Sequence, residues 1–159
     1  MKDKKSIYIE TTIPSYLTAW LSSELVMAAN QQSTRIWWTD YKDKFELFVS
    51  EIVIQEAGSG NLEAAKRRLE VLNNISKLDI SIEAENLAIK LLNNAALPAK
   101  AATDALHIAI ATVHGIDFLL TWNCRHIANA TLRSKIETIC RVSGYEPPII
   151  CTPQELIGG

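Results

Sequence analysis

The sequence predicts a single α/β domain, residues 1–159, built on a parallel sheet. Two observations carry that expectation. Five short apolar runs alternate with longer stretches of helical period, and no repeat, low-complexity segment or linker interrupts them. Strands separated by helices pair in parallel, because each connection has to cross back over the sheet. With 159 residues, 48% of them hydrophobic and 21% charged, the chain fits one domain that can bury its own core.

The elements follow in order. Ser6-Ile7-Tyr8-Ile9-Glu10 reads as a buried strand that ends in a carboxylate. From about Ser22 to Asp40 the pattern is helical, with Leu25, Ala28, Ala29, Gln32 and Ile36 on one side. Phe45 to Val49 is a second strand, and Ser50 stands where it can cap a helix through Ile52, Val53 and Glu56, broken at Gly58-Ser59-Gly60. Leu62, Ala65, Leu69 and Leu72 mark a further amphipathic helix, and Leu78-Asp79-Ile80 a third strand.

Ser81 can cap a helix bearing Ala84, Leu87, Ala88 and Leu91 that ends near Leu97-Pro98. Thr103 to His114 is a strong helix stopped by Gly115, with Ala105, Ile108, Ala109 and Thr112 on its buried side. Phe118 to Thr121 is a fourth strand, Ile136 to Val142 a helix closing on Gly144, and Ile149 to Cys151 a fifth strand. Thr152-Pro153-Gln154-Glu155 has the form of a capping box with proline at the first helical position.

Charge and cysteine usage narrow the function. Sixteen Lys+Arg against eighteen Asp+Glu leave a net charge of −2, which excludes a protein held on nucleic acid by bulk positive charge. An enzyme that acts on nucleic acid at one metal-bearing pocket remains open. Cys124, Cys140 and Cys151 are odd in number without Cys-x-x-Cys spacing and read as small fillers in a reducing compartment. Met1-Lys2-Asp3-Lys4-Lys5 leads into too short an apolar run for a signal peptide, and no run is long enough for a membrane span. A cytoplasmic protein is expected.

Ligands of open parallel sheets sit outside the carboxyl ends of the strands. The polar residues there are Glu10 with Thr11 and Thr12 after the first strand, Glu56 on the helix after the second, Asp104 opening the Thr103–His114 helix, and Asn123 past the fourth. An acid in a first helical turn is also favoured by the helix dipole alone. Three separated carboxylates and a carboxamide converging on one crevice, however, call for a cation. An oxygen-rich set selects a hard ion such as Mg2+ or Mn2+, which activates water and stabilises the leaving oxygen in phosphodiester cleavage.

Four segments carry a family resemblance: Tyr8-Ile9-Glu10-Thr11-Thr12-Ile13-Pro14-Ser15, Val49-Ser50-Glu51-Ile52-Val53-Ile54-Gln55-Glu56, Ala102-Thr103-Asp104-Ala105-Leu106-His107-Ile108-Ala109 and Leu119-Leu120-Thr121-Trp122-Asn123. In this order, from about Ile7 to Ile150, they resemble the PIN domain, in the branch of the VapC-type toxins of bacterial toxin–antitoxin pairs. The resemblance implies a three-layer α/β/α sandwich with a central, mostly parallel five-stranded sheet and a ribonuclease dependent on Mg2+ or Mn2+. It makes Glu10, Glu56 and Asp104 catalytic, metal-binding acids, puts Asn123 in the fourth acidic position, and gives supporting places to Thr11 and Thr121. It also implies a homodimer and a small antitoxin partner.

Two positions depart from the family pattern. Glu10 stands where the first acid is normally Asp, adding roughly 1.5 Å of reach. Asn123 replaces a fourth Asp, so the set carries three charges instead of four, which weakens a second metal more than a first. Those departures motivate a rival reading, a catalytically weakened PIN module that binds RNA or a protein.

Other groupings have plainer readings. His107, His114, His126 and Cys124 lack the spacing of a zinc site. His107, one turn from Asp104, reads as a helix-surface histidine placed to contact RNA or orient the acid. From Ala99 to Tyr145 five bases face three acids, which suits an RNA path, with Arg125 as the foremost phosphate contact. Trp37 and Trp38 point about 100° apart on a helix, so either one anchors an interface or both fold beneath a neighbour.

Overall fold

The computed structural model describes residues 4–94 and 97–158. Five strands form one sheet in the order β3-β2-β1-β4-β5, and all four pairings are parallel. They are β1 (Lys5–Ile9), β2 (Phe45–Ser50), β3 (Ser76–Leu78), β4 (Phe118–Leu120) and β5 (Ile149–Cys151). The helices are α1 (Thr12–Thr18), α2 (Leu25–Asp40), α3 (Glu51–Ala57), α4 (Leu62–Leu72), α5 (Ile82–Asn93), α6 (Ala102–Val113) and α7 (Ala130–Val142). Helix α1 packs on α2 and α4, and α4 on α3, while α5 packs on α6 and α7. The expected α/β/α sandwich is the observed fold.

Burial falls away from the centre. Ile7, Tyr8 and Ile9 of β1 are fully buried, as are Leu119 and Leu120 of β4. A strand covered on both faces reads as a continuous apolar run, which is why β1 is so plain in the sequence. Edge strand β3 lies two residues earlier than expected, because Ser76 and Lys77 supply the backbone pairing with Phe48 and Val49. A polar, lysine-bearing edge is usual, and it hides the strand from an apolar-run reading.

Helix α1 was not expected from periodicity. Its seven residues, TIPSYLT, are too few and too polar to show a 3.6-residue repeat, and Pro14 sits in the first turn, where a missing N–H costs nothing. The buried face of α2 also differs from expectation. Gln31, Thr34 and Trp37 point inward, whereas Leu25 is 84% exposed and Ile36 45% exposed. Gln31 and Thr34 are satisfied: the Gln31 amide donates to Trp20 O at 3.0 Å and accepts from Ser22 N at 2.8 Å, and Thr34 Oγ1 donates to Asn30 O at 2.7 Å, whereas the buried Trp37 Nε1 has no partner among the described residues. Hydrophobic periodicity cannot see such positions.

Ser81 caps α5 as expected, accepting from Ala84 N at 3.2 Å. That helix ends at Asn93, short of the Leu97-Pro98 boundary, and the intervening residues 95–96 lie outside the described residues. Helix α7 begins well before Ile136, where Asn129 accepts from Thr131 N. Gly115 and Gly144 follow α6 and α7 with φ of 69° and 95°, the left-handed conformation that lets the chain turn away. The Thr152–Glu155 capping box is present on a 3-10 turn, Pro153–Leu156. Among the described residues, no helix is long and apolar enough to cross a membrane.

The tryptophan pair resolves asymmetrically. Trp37 is fully buried and Trp38 half-buried, with the Lys42 ammonium 5.5 Å from its ring centre. The outlying tryptophan is Trp20, 82% exposed beneath the Arg67 guanidinium. Trp37→Ala is therefore expected to cost about 3–5 kcal/mol in urea unfolding, and Trp20→Ala under ~1 kcal/mol.

Candidate metal centre

The sheet reverses its direction of growth at one place. After β1 the chain builds outward through β2 and β3, then crosses back and lays β4 on the other side of β1. The carboxyl ends of β1 and β4 thus stand side by side at the switch point where such sheets bind ligands. The residue that follows β1 is Glu10, whose backbone N–H donates to Leu120 O at 3.1 Å.

The Glu10 side chain is 4% exposed, and one of its oxygens collects all its protein contacts. Oε1 accepts from Thr12 Oγ1 at 2.6 Å, Thr121 Oγ1 at 2.6 Å and Thr12 N at 3.2 Å. Thr12 Oγ1 in turn accepts from Trp122 N at 2.8 Å, and Thr121 Oγ1 from Asn123 N at 2.8 Å. Two threonines from the β1 and β4 ends thereby clamp one carboxylate to both strands.

Glu56 enters from α3 with its side chain 37% exposed. Its Oε1 accepts from Thr11 Oγ1 at 2.5 Å and lies 2.7 Å from His107 Nε2. Burial alone would raise its pKa, but the His107 hydrogen bond and charge, then the Thr11 hydroxyl, outweigh burial and hold it below the usual glutamate value. Thr11 follows the first acid in sequence and donates to the second.

His107 is a correction. The expected surface histidine is fully buried. Its Nδ1 lies 2.7 Å from Tyr8 OH, and Tyr8 OH lies 2.7 Å from Ser50 Oγ. With both ring nitrogens engaged inside the protein, His107 presents none to RNA. Burial pushes the Tyr8 phenol far up, so it keeps its proton. Ser50 occupies the cap position of α3 without capping it, since its hydroxyl turns to Tyr8.

Glu10, Glu56 and His107 each offer a donor atom within 4.8 Å of the others, the one such group of His, Cys, Asp and Glu among the described residues. Asp104 falls outside it. On the first turn of α6, Asp104 Oδ1 accepts from Asn123 Nδ2 at 3.1 Å, and Oδ2 lies 2.9 Å from His126 Nδ1. Asn123 Oδ1 accepts from His126 N at 3.1 Å and Arg125 N at 3.3 Å, stapling its own loop. His126 had no expected role; its position three residues past Asn123, on a tight loop, is the signal that could have found it. Arg125, on the same loop, is exposed.

The remaining groups separate. His114 Nε2 meets Asp79 O at 2.8 Å, and among the described residues no group that could hold a metal contains two histidines. Cys140 and Cys151 are buried fillers, and burial pushes the Cys151 thiol up to about 12. Cys124 is exposed, contrary to the filler reading. Tyr16 stacks on Trp122, centroids 5.7 Å apart and planes within 8°, next to the threonine clamp.

The donor set fits a hard divalent cation. Two carboxylates with oxygens within 4.8 Å repel by roughly 3 kcal/mol at an effective dielectric constant near 20. Every protein donor goes to Oε1 of each acid, and among the described residues neither Oε2 receives one. Anchored acids that each keep an open oxygen are what oxygen coordination needs.

Comparison with known proteins bears on the fold and the family. One chain of the crystal structure of VapBC2 from Rickettsia felis, bound to a DNA fragment from their promoter, superposes with a TM-score of 0.58 at 16% identity, covering 92% of this chain and 98% of that one. That likeness concerns the fold. No curated protein matches in sequence. The PIN domain family model matches residues 7–130, a span that takes in Glu10, Glu56, Asp104 and Asn123, and the chain belongs to the PIN domain family.

Proposed function

We propose that this chain is a metal-dependent endoribonuclease that hydrolyses RNA phosphodiester bonds and serves as the toxin of a toxin–antitoxin pair. The observation that carries the reading is the pair Glu10 and Glu56, each fixed through Oε1 with Oε2 open. These two acids hold Mg2+ or Mn2+, with Asp104 and Asn123 bordering the same crevice. The ion, when bound, offsets the acids' charge and supplies an activated water with stabilisation of the leaving oxygen.

The chain's own residues do the rest. Thr12 and Thr121 keep Glu10 from turning away, Thr11 does so for Glu56, and Arg125 meets a flanking phosphate. The Tyr16–Trp122 stack offers a flat aromatic surface beside the acids on which a base can lie. PIN domains are generally nucleases, which supports the class of reaction. A small antitoxin is the partner expected by analogy with VapBC2, a second copy of the chain is expected from the resemblance, and the cytoplasm is the expected compartment.

One observation favours the alternative of a catalytically weakened module. Asn123 spends its amide on Asp104 and its oxygen on the loop, so the fourth position is occupied with internal bonds. Calorimetric Mn2+ titration with RNA cleavage distinguishes the two. The parent is expected to bind Mn2+ and cleave; Glu10→Gln and Glu56→Gln are expected to lose binding by tenfold or more and to abolish cleavage, and Asp104→Asn to lose cleavage with the fold intact. A parent silent in cleavage that gains it as Glu10→Asp with Asn123→Asp would establish the weakened module instead. Retained cleavage in Asp104→Asn would remove that residue from the site.

The lowered Glu56 pKa gives a pH dependence with a definite sign. A carboxyl whose folded pKa lies below its unfolded one stabilises the fold above the unfolded value, and that contribution disappears as pH falls through the folded value. Thermal melts taken between about pH 6 and pH 3 are expected to show a shallower loss of stability in Glu56→Gln than in the parent.

A further inference from the structure

We infer that Tyr8, Ser50 and His107 form a buried relay whose role is to position the Glu56 carboxylate. The inference deepens the metal-site reading and rests on it for its functional meaning. It starts from three places where local rules are broken together. Ser50 holds the cap position of α3 in extended conformation, yet gives no side-chain cap, forgoing the stabilisation a serine there normally contributes. Tyr8 lies mid-strand between Ile7 and Ile9 in the most buried strand, where phenylalanine would fill the space without a hydroxyl to satisfy. His107 is fully buried on a helix whose neighbours Ile108, Ala109, Ile110 and Ala111 are also fully buried.

Each break is explained by the next group along. Ser50 Oγ lies 2.7 Å from Tyr8 OH, Tyr8 OH 2.7 Å from His107 Nδ1, and His107 Nε2 2.7 Å from Glu56 Oε1. The chain begins at a buried serine and ends at the one member that reaches solvent. Four elements contribute, β1, β2, α6 and α3, so the line ties the core of the sheet to one acid.

The protons can be placed. A carboxylate only accepts, so Nε2 carries the hydrogen that faces Glu56. In the neutral ring Tyr8 then donates to Nδ1 and accepts from Ser50; in the imidazolium Nδ1–H donates to Tyr8 and Tyr8 to Ser50. Both arrangements satisfy every buried polar atom and keep the same Nε2–H on Glu56. Without the Tyr8 hydroxyl, Nδ1 loses its partner in a dry site, and nothing holds the ring in the tautomer or rotation that serves Glu56. Tyr8 thus acts on an acid it does not touch.

The test uses the full chain without metal and then with Mn2+. In the metal-free parent, 15N-histidine NMR is expected to show a slowly exchanging, strongly downfield His107 Nε2–H, lost or shifted in Tyr8→Phe and in Glu56→Gln. Mn2+ affinity by calorimetry is expected to fall about 10–100-fold in Tyr8→Phe and His107→Phe. His107→Gln, whose amide nitrogen can take the Nε2 place, is expected to restore most of it. Ser50→Ala, the mildest change, is expected to fold and lie between parent and Tyr8→Phe.

A folded Tyr8→Phe or Ser50→Ala with the parent's NMR signal and an affinity within twofold of the parent's would overturn the relay. So would a parent that shows no protected Nε2–H. If the parent binds no Mn2+ but the proton is present and depends on Tyr8, the relay stands and the metal reading falls.

Discussion

The arrangement of this protein turns on two carboxylates held close enough to repel. Glu10 and Glu56 come from different parts of the chain, one from the end of the central strand and one from the helix after its neighbour. They meet because β1 lies between β2 and β4 in an all-parallel sheet. Parallel order forces every strand to end on the same edge, and the reversal between β1 and β4 leaves a gap there that helices do not close. A fold of this kind delivers side chains to one crevice by topology, before any of them is selected for chemistry.

Holding the acids in that crevice then requires donors, and the chain supplies threonine hydroxyls together with His107 Nε2. Thr11, Thr12 and Thr121 approach from the two strand ends and bond only Oε1 of each acid. A lysine or arginine in their place would neutralise the pair and occupy the oxygens that a metal needs. Hydroxyl donors hold geometry and favour the ionised form without adding charge. The same logic extends inward through His107, Tyr8 and Ser50, where buried polar groups are tolerated because each is paired.

What the sequence made visible follows from how each signal arises. Strands buried on both faces, such as β1 and β4, show as uninterrupted apolar runs, and Ser81 and Thr152 mark helix starts by local chemistry. Glu10 and Asn123 stood out as residues just past strand ends, Asp104 as a first-turn acid, and Glu56 as an acid on the helix after the second strand. The hidden features share one cause, that burial was achieved with polar groups. Gln31 and Thr34 face the core of α2 with their bonds made, Ser76 and Lys77 form an edge strand through backbone alone, and His107 looks like a surface residue until Tyr8 and Glu56 are seen around it. For Tyr8 and His107 the partners lie far away in sequence, as with Tyr8 and Ser50 at a separation of 42, and no local window contains that information.

The replacement of a fourth acid by Asn123 gains meaning from its bonds. Its amide donates to Asp104 while its oxygen takes two backbone N–H groups from its own loop. An aspartate at that position could accept the same two loop hydrogens, but it would set a second negative charge against Asp104 at a contact of about 3 Å and need a cation between them. With asparagine and His126 as neighbours, Asp104 is satisfied from both oxygens by the protein itself. The crevice therefore has two unequal halves, a self-satisfied one at Asp104 and a charge-strained one at Glu10 and Glu56. Electrostatic demand for a cation concentrates on the second half, where donor atoms of Glu10 and Glu56 lie within 4.8 Å of one another.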